Sequence, residues 1–93
     1  MNKYQLLYII DNSLEEEAKN EIVDKFSALI ESLGGTIDTI DKWGTKKFAY
    51  EIAGKSEGYY VLVKFEANTE VPAEIDRQMK INDSIVRQMI TRI

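Results

Sequence analysis

The segment Tyr4-Gln5-Leu6-Leu7-Tyr8-Ile9-Ile10 is apolar on both sides of an extended chain. Successive side chains of a strand point to opposite faces, so Tyr4, Leu6, Tyr8 and Ile10 share one face and Leu7 and Ile9 the other. A strand of this kind lies in the middle of a sheet or turns its second face to a partner. The chain has 93 residues, enough for one domain spanning 1–93 with a modest core.

Asp11-Asn12 ends this strand. Ser13 with Glu16 three residues later matches a capping box, and Glu15, Glu16 and Glu17 suit the positive end of a helix dipole. Leu14, Ala18, Ile22, Phe26, Ile30 and Leu33 then form one stripe, with Leu29 beside it. Gly34-Gly35 stops the helix as a left-handed C-cap. Thr36 to Ile52 reads as a long, bent strand, with Ile37 and Ile40 in its first half and Gly44 marking a bulge or bend. Beyond the bend, Phe48, Tyr50 and Ile52 alternate toward a core while Lys47, Ala49 and Glu51 look away.

Ala53 to Glu57 reads as a polar loop. In Gly58 to Glu66, Tyr59, Val61, Val63 and Phe65 alternate with Tyr60, Leu62, Lys64 and Glu66, the pattern of a strand. Asn68-Thr69 opens a second helix with Pro72 in its first turn and Ala73, Ile75 and Met79 on its apolar side. Asn82-Asp83 breaks it, and Ser84 to Thr91 supplies a last strand. The order strand, helix, strand, strand, helix, strand makes two split β-α-β units with right-handed crossovers. The fold class is α+β, a ferredoxin-like β-α-β-β-α-β arrangement: a four-stranded antiparallel sheet with two helices on one face. Its other face is left open. Leu7, Ile9, Tyr60 and Leu62 are the candidates for that face, an apolar patch suited to a partner interface.

The chemistry of an enzyme is missing. The chain has no cysteine, which removes disulfides and thiolate metal sites, and no histidine, the commonest general base and metal ligand. No activated Ser or Lys motif appears, and neither GxGxxG nor a P-loop is present. Consecutive Glu15, Glu16 and Glu17 point different ways on a helix and lack a calcium loop. No catalytic residue, cofactor or metal is expected. The longest apolar run is too short for a bilayer and the N-terminus lacks a signal-peptide pattern, so the expectation is no membrane and a cytoplasmic location.

The formal net charge of −4 argues against indiscriminate coating of nucleic acid. The charge is unevenly spread. Residues 1–41 carry three basic and nine acidic side chains, residues 42–93 nine basic and seven acidic. Lys42, Lys46, Lys47 and Lys55 face Glu51 alone across 42–55, and Arg77, Lys80, Arg87 and Arg92 face Asp83 alone across 77–93. Two local basic clusters on an acidic domain suit a small nucleic-acid footprint, while charge alone favours the reading of solvated faces. An RRM-type RNA-binding domain shares the fold. Gly58-Tyr59-Tyr60-Val61-Leu62-Val63-Lys64-Phe65 has the aromatics but not the Lys/Arg-Gly-Phe-Gly spacing, and Tyr59 and Phe65 read as core.

Tyr4, Gly35, the run Gly44-Thr45-Lys46-Lys47-Phe48-Ala49-Tyr50-Glu51-Ile52, Gly58-Tyr59 and the ending Ile81-Asn82-Asp83-Ser84-Ile85-Val86-Arg87 resemble the bacterial small-subunit ribosomal protein S-six family over essentially the whole chain. Phe48 stands where that family usually has Leu, and Gln5 where Glu is common. The resemblance implies a non-catalytic ribosomal protein that binds the central domain of small-subunit ribosomal RNA together with ribosomal protein eighteen of that subunit. A basic partner would then supply much of the phosphate neutralisation. Charge on strand ends or on the face opposite the helices nominates Lys3, Lys46, Lys47, Arg87 and Arg92 for RNA contact; Tyr4 is added to them, with a competing reading as a core residue. Lys46 and Lys47 also suit edge-strand gatekeeping against sheet-to-sheet pairing. The ribosomal reading expects a monomer when isolated. Its rival is a stand-alone ferredoxin-like domain that oligomerises through the open face and senses a small ligand.

Overall fold

The computed structural model describes residues 2–52 and 55–93, and the side chains of all of these except 49–52 and 55. Among them the chain runs β1 (Asn2–Asp11), α1 (Glu16–Ser32), β2 (Thr36–Ile52), β3 (Lys55–Ala67), α2 (Val71–Lys80) and β4 (Ile85–Arg92). Every pairing is antiparallel and the sheet order is β2-β3-β1-β4. The doubly apolar first strand is therefore central, with Leu7 opposite Leu62 on one side and Met89 on the other.

Tyr4, Leu6, Tyr8 and Ile10 of β1 join Val61, Val63, Phe65 and Ala67 of β3 in a core with Val23, Phe26 and Ile30 of α1 and Val71, Ile75 and Met79 of α2. Both helices thus cover the same face of the sheet. Burying side chains such as Phe26, Ile30 and Ile75 stabilises the fold by about 1.5–3 kcal/mol each relative to exposure. Tyr8 packs on Phe26 with ring centroids 6.0 Å apart. Its hydroxyl is buried without a hydrogen-bond partner among the described residues, and that burial raises the phenol pKa above its ordinary value.

Several local expectations are corrected. Ser13 does not cap α1; its N–H and hydroxyl both donate to Asp11 Oδ1, at 3.0 and 2.8 Å. This Asx turn uses the serine, and the helix starts later, behind Glu15, without a side-chain cap. Val23 is buried on α1, a position outside the stripe read from the sequence. On α2, Val71 fills the apolar side and Ala73 is exposed. The strand after the hairpin begins at Lys55, so residues 55–57 extend β3 rather than forming a loop, while 53–54 lie outside the described residues.

The helix stop stands as expected. Gly34 sits at φ +88°, its N–H donates to Glu31 O at 3.0 Å, and the Gly35 N–H reaches Ile30 O at 2.9 Å, the two bonds of a Schellman motif. Gly44 sits at φ +84°, where the β2–β3 register shifts between Lys42 and Gly44. A second shift lies between Ile37 and Thr39. Each shift flips the alternation once, so the one at Gly44 puts the later residues on the sides opposite to those counted from Ile40. Phe48 consequently leaves the helix-side core and packs over Gly58 on the open face, beside Ile9 and Tyr60. The expectations for Tyr50 and Ile52 concern side chains outside those described.

Candidate RNA and partner interface

The face opposite the helices is built from cross-strand rows. One row runs Asp41, Leu62, Leu7, Met89 from β2 to β4; the next runs Gly44, Tyr60, Ile9, Arg87. A third begins Lys46, Gly58, Asp11. The four residues nominated for the partner interface, Leu7, Ile9, Tyr60 and Leu62, are therefore neighbours on one surface. Their accessibility differs. Ile9 and Leu62 are already buried, at 6 and 8 % exposure, whereas Leu7 and Tyr60 are half-buried and open to contact. Leu7, Ile9, Tyr60, Arg87, Gln88 and Met89 line a groove of about 230 Å³.

The sequence reading missed two residues of this surface. Met89 is 56 % exposed in the row of Leu7, a placement that alternation from Arg87 along β4 signals. Trp43 is 46 % exposed at the Gly44 bulge and stacks on Tyr60, with ring centroids 6.3 Å apart and planes within 9°. Phe48 tilts against the same tyrosine at 6.2 Å. The Trp-Gly pair before two lysines was the available signal, since a glycine bulge re-aims its neighbour.

The cations nominated for RNA do not form one patch. Lys46 and Arg87 lie at the hairpin end of the sheet, where Lys46 pairs with Gly58 and Arg87 with Ile9. Lys47 pairs with Glu57 and takes the opposite side of β2. Lys3 and Arg92 lie at the far end, where the Arg92 guanidinium donates to Asn2 Oδ1 at 2.8 Å. Lys3 and Ile9 are six residues apart on β1, which at about 3.4 Å per residue puts the two cationic ends roughly 20 Å from each other. Tyr4 leaves the RNA set. It is 7 % exposed and packs on Phe65 with centroids 5.6 Å apart, because its face of β1 is the one the helices cover.

A polar knot positions the hairpin end. Asn12 Oδ1 accepts from Thr45 Oγ1 at 2.7 Å and from Lys19 Nζ at 2.9 Å, and Asn12 Nδ2 donates to Glu57 Oε2 at 3.4 Å. The β1–α1 turn thereby holds both arms of the β2–β3 hairpin. A larger depression of about 600 Å³, lined by Leu33, Asn68, Glu70, Val71, Ala73, Glu74 and Arg77, lies on the helix side. Two of its charges pair: Arg77 donates to both Glu74 oxygens, at 2.6 and 3.0 Å, and Gln78 adds a third bond at 3.1 Å. These bonds hold the Glu74 carboxyl at about 2. Among the described residues no acidic, His or Cys cluster is placed to hold a metal ion, and no helix is long and apolar enough to cross a membrane.

The sequence profile of the ribosomal protein S6 family matches residues 3–92. The small ribosomal subunit protein bS6 of Alkaliphilus oremlandii is 50 % identical over 93 residues, covering 100 % of this chain and 98 % of the relative. That of Clostridium botulinum is 47 % identical over 90 residues, covering 97 % and 96 %. The crystal structure of the 30S ribosomal protein S6 from Thermotoga maritima superposes with a TM-score of 0.96 at 28 % identity, over 99 % of this chain and 87 % of that one. The C-terminal domain of the MgtC protein from Mycobacterium tuberculosis, at TM-score 0.66 and 9 % identity over 100 % of this chain and 88 % of that one, shares the fold alone. The chain therefore belongs to the ribosomal protein S6 family and is a structural, non-enzymatic, cytoplasmic component of the small ribosomal subunit.

Proposed function

We propose that this chain binds the central domain of small-subunit ribosomal RNA together with ribosomal protein eighteen of that subunit. The observation that carries the reading is an apolar open sheet face with cations at both of its ends and no helix over it. In this reading the protein partner covers Leu7 and Tyr60, with Ile9 and Leu62 beneath them. Lys46, Lys47 and Arg87 take phosphates at the hairpin end, and Lys3 and Arg92 at the other. Two separated cationic ends flanking a protein interface suit an acidic domain. It neutralises few phosphates itself and relies on its partner for the rest.

The test is assembly in cells and in solution. A tagged copy should co-sediment with small-subunit particles, and the purified chain should run as a monomer until partner and RNA are added. Replacing Lys46 and Lys47 by Ala should weaken RNA-dependent assembly and flatten its logarithmic salt dependence by about 0.7–0.9 per lost phosphate contact. Absence of the tagged copy from small-subunit particles would sink the proposal. Assembly with an unchanged salt slope would leave the two lysines as gatekeepers of the β2 edge.

A further inference from the structure

Trp43 has a place on this surface that the fold does not require. It lies outside the packed core and is 46 % exposed, on an edge strand, at a bulge made by a left-handed glycine. The large indole nonetheless has a fixed attitude, because it stacks within 9° of the Tyr60 ring, which Phe48 buttresses in turn. Lys46 Nζ lies over the indole, 5.7 Å from its centroid. The Lys46 ammonium has no ion pair among the described residues, while Lys47 takes the other side of β2 opposite Glu57. Asp41 is the sole carboxylate between residues 39 and 50.

We infer that Trp43 is a stacking seat for one unpaired nucleobase of RNA, with Lys46 taking the phosphate beside that nucleotide. A preset aromatic plane with an ammonium over it matches a planar, anionic unit. An apolar protein side chain would use the ring and leave the cation without purpose, and a basic protein segment would be repelled by it. Unpaired bases in loops, bulges and junctions are what proteins stack on aromatic rings, and every base offers a π-face. The Lys46 ammonium that covers the indole in the free chain swings outward to the phosphate as the base slides in. The seat borders Tyr60, so the RNA would meet the protein partner along the seam between Trp43 and the Leu7–Tyr60 surface. This inference rests on the RNA-binding reading above and adds to it a residue and a ligand class.

Trp43 is the single tryptophan of the chain, so its emission reports on the seat directly. The full chain is titrated first with ribosomal protein eighteen of the small subunit and then with a central-domain ribosomal RNA fragment. RNA should quench the emission, while the protein alone leaves it unchanged. Trp43→Ala should weaken RNA affinity about tenfold, the loss of one base–aromatic stack, with partner affinity unaltered. Trp43→Phe should keep most of the affinity, since a smaller ring still stacks. Circular dichroism and the partner affinity show that both variants fold. Quenching by the protein partner alone, with Trp43→Ala weakening that contact instead, would make Trp43 a protein anchor and overturn the inference. So would wild-type RNA affinity in Trp43→Ala. If the unmodified chain and its partner bind no RNA, the underlying reading falls; if they bind and Trp43 is silent, only the stacking seat falls.

Discussion

The Thr45 hydroxyl donates to Asn12 Oδ1 at 2.7 Å, tying β2 to the turn before α1 across 33 positions of sequence. Lys19 converges on the same oxygen at 2.9 Å while its ammonium lies 5.0 Å from the centre of the Tyr59 ring. One asparagine thus sets the angle at which the lysine-bearing end of β2 leaves the sheet. Asn12→Ala should cost about 1 kcal/mol, the worth of a partly exposed hydrogen-bond set. It should also speed amide exchange from Thr45 to Lys47. Urea denaturation and hydrogen exchange check the two outcomes, and unchanged exchange would show that the strand pairing alone fixes the arm.

At Gly58 a Cβ would overlap Ile9 Cγ2 and sit 2.7 Å from Phe48 Cζ. The phenyl tip can swing aside, but the Ile9 methyl is one bond from its own Cβ and cannot. Gly58→Ala should therefore destabilise by about 1–3 kcal/mol through overpacking. Combining it with Ile9→Ala should cost less than the sum of the two, because the second change removes the obstructing methyl. Additive losses would mean that the strain lies elsewhere.

Tyr8 offers the opposite sign. Its ring is needed in the core, but its hydroxyl is buried without a partner among the described residues. Tyr8→Phe keeps the ring and removes the orphaned group, so stability should stay level or rise by up to about 1–2 kcal/mol. The pH dependence follows from the raised phenol pKa. Above the ordinary value of 10.0 the unfolded chain releases this proton and the folded chain holds it, so wild-type stability falls as pH climbs past that point. Tyr8→Phe should lose less stability in alkali, which denaturation curves at neutral and alkaline pH would reveal.

The acid side is governed in part by α2. Arg77 and Gln78 pull the Glu74 carboxyl from 4.5 to about 2, and Lys80, with help from Gln88, lowers Asp76. A depressed carboxylate stabilises above its unfolded value, and that contribution is lost as pH falls through the folded one. The stability difference between wild type and Glu74→Gln should thus be small at neutral pH, since the pair is exposed, and vanish between about 4.5 and 2. A difference that grew on acidification would contradict the assigned bonds.

What could be read in the sequence was whatever depends on period and punctuation. The doubly apolar Tyr4–Ile10 segment gave the central strand, and Gly34 gave the helix stop. Leu7, Ile9, Tyr60 and Leu62 fell on one face because β1 and β3 alternate without interruption where they pair. β2 escaped the same reading. Each register shift along it flips the alternation, and a count of positions from Ile40 across the Gly44 shift puts Phe48 on the wrong side. Ser13 misled for another reason: two nearby groups competed for its hydroxyl, and the Asp11 carboxylate won over the helix N-terminus. Tyr4 misled because motif and core claimed the same residue, and periodicity alone already placed it with Leu6 and Tyr8.

The order of strands in the sheet has a consequence for how the molecule is made. β1 pairs with β3 and β4, both of which lie far along the chain, and the Ile93 N–H closes onto the Lys3 carbonyl at 3.0 Å. During translation the central strand is therefore the first to emerge and among the last to be flanked. Until β4 has been added, the nascent chain carries an open edge beside Leu7 and Ile9, a site for mispairing with another chain. Long-range closure of this kind is slow relative to helix formation. Newly synthesised copies are thus most exposed to aggregation between the appearance of β3 and the arrival of residue 92, and a chaperone or an early-binding partner would act in that interval.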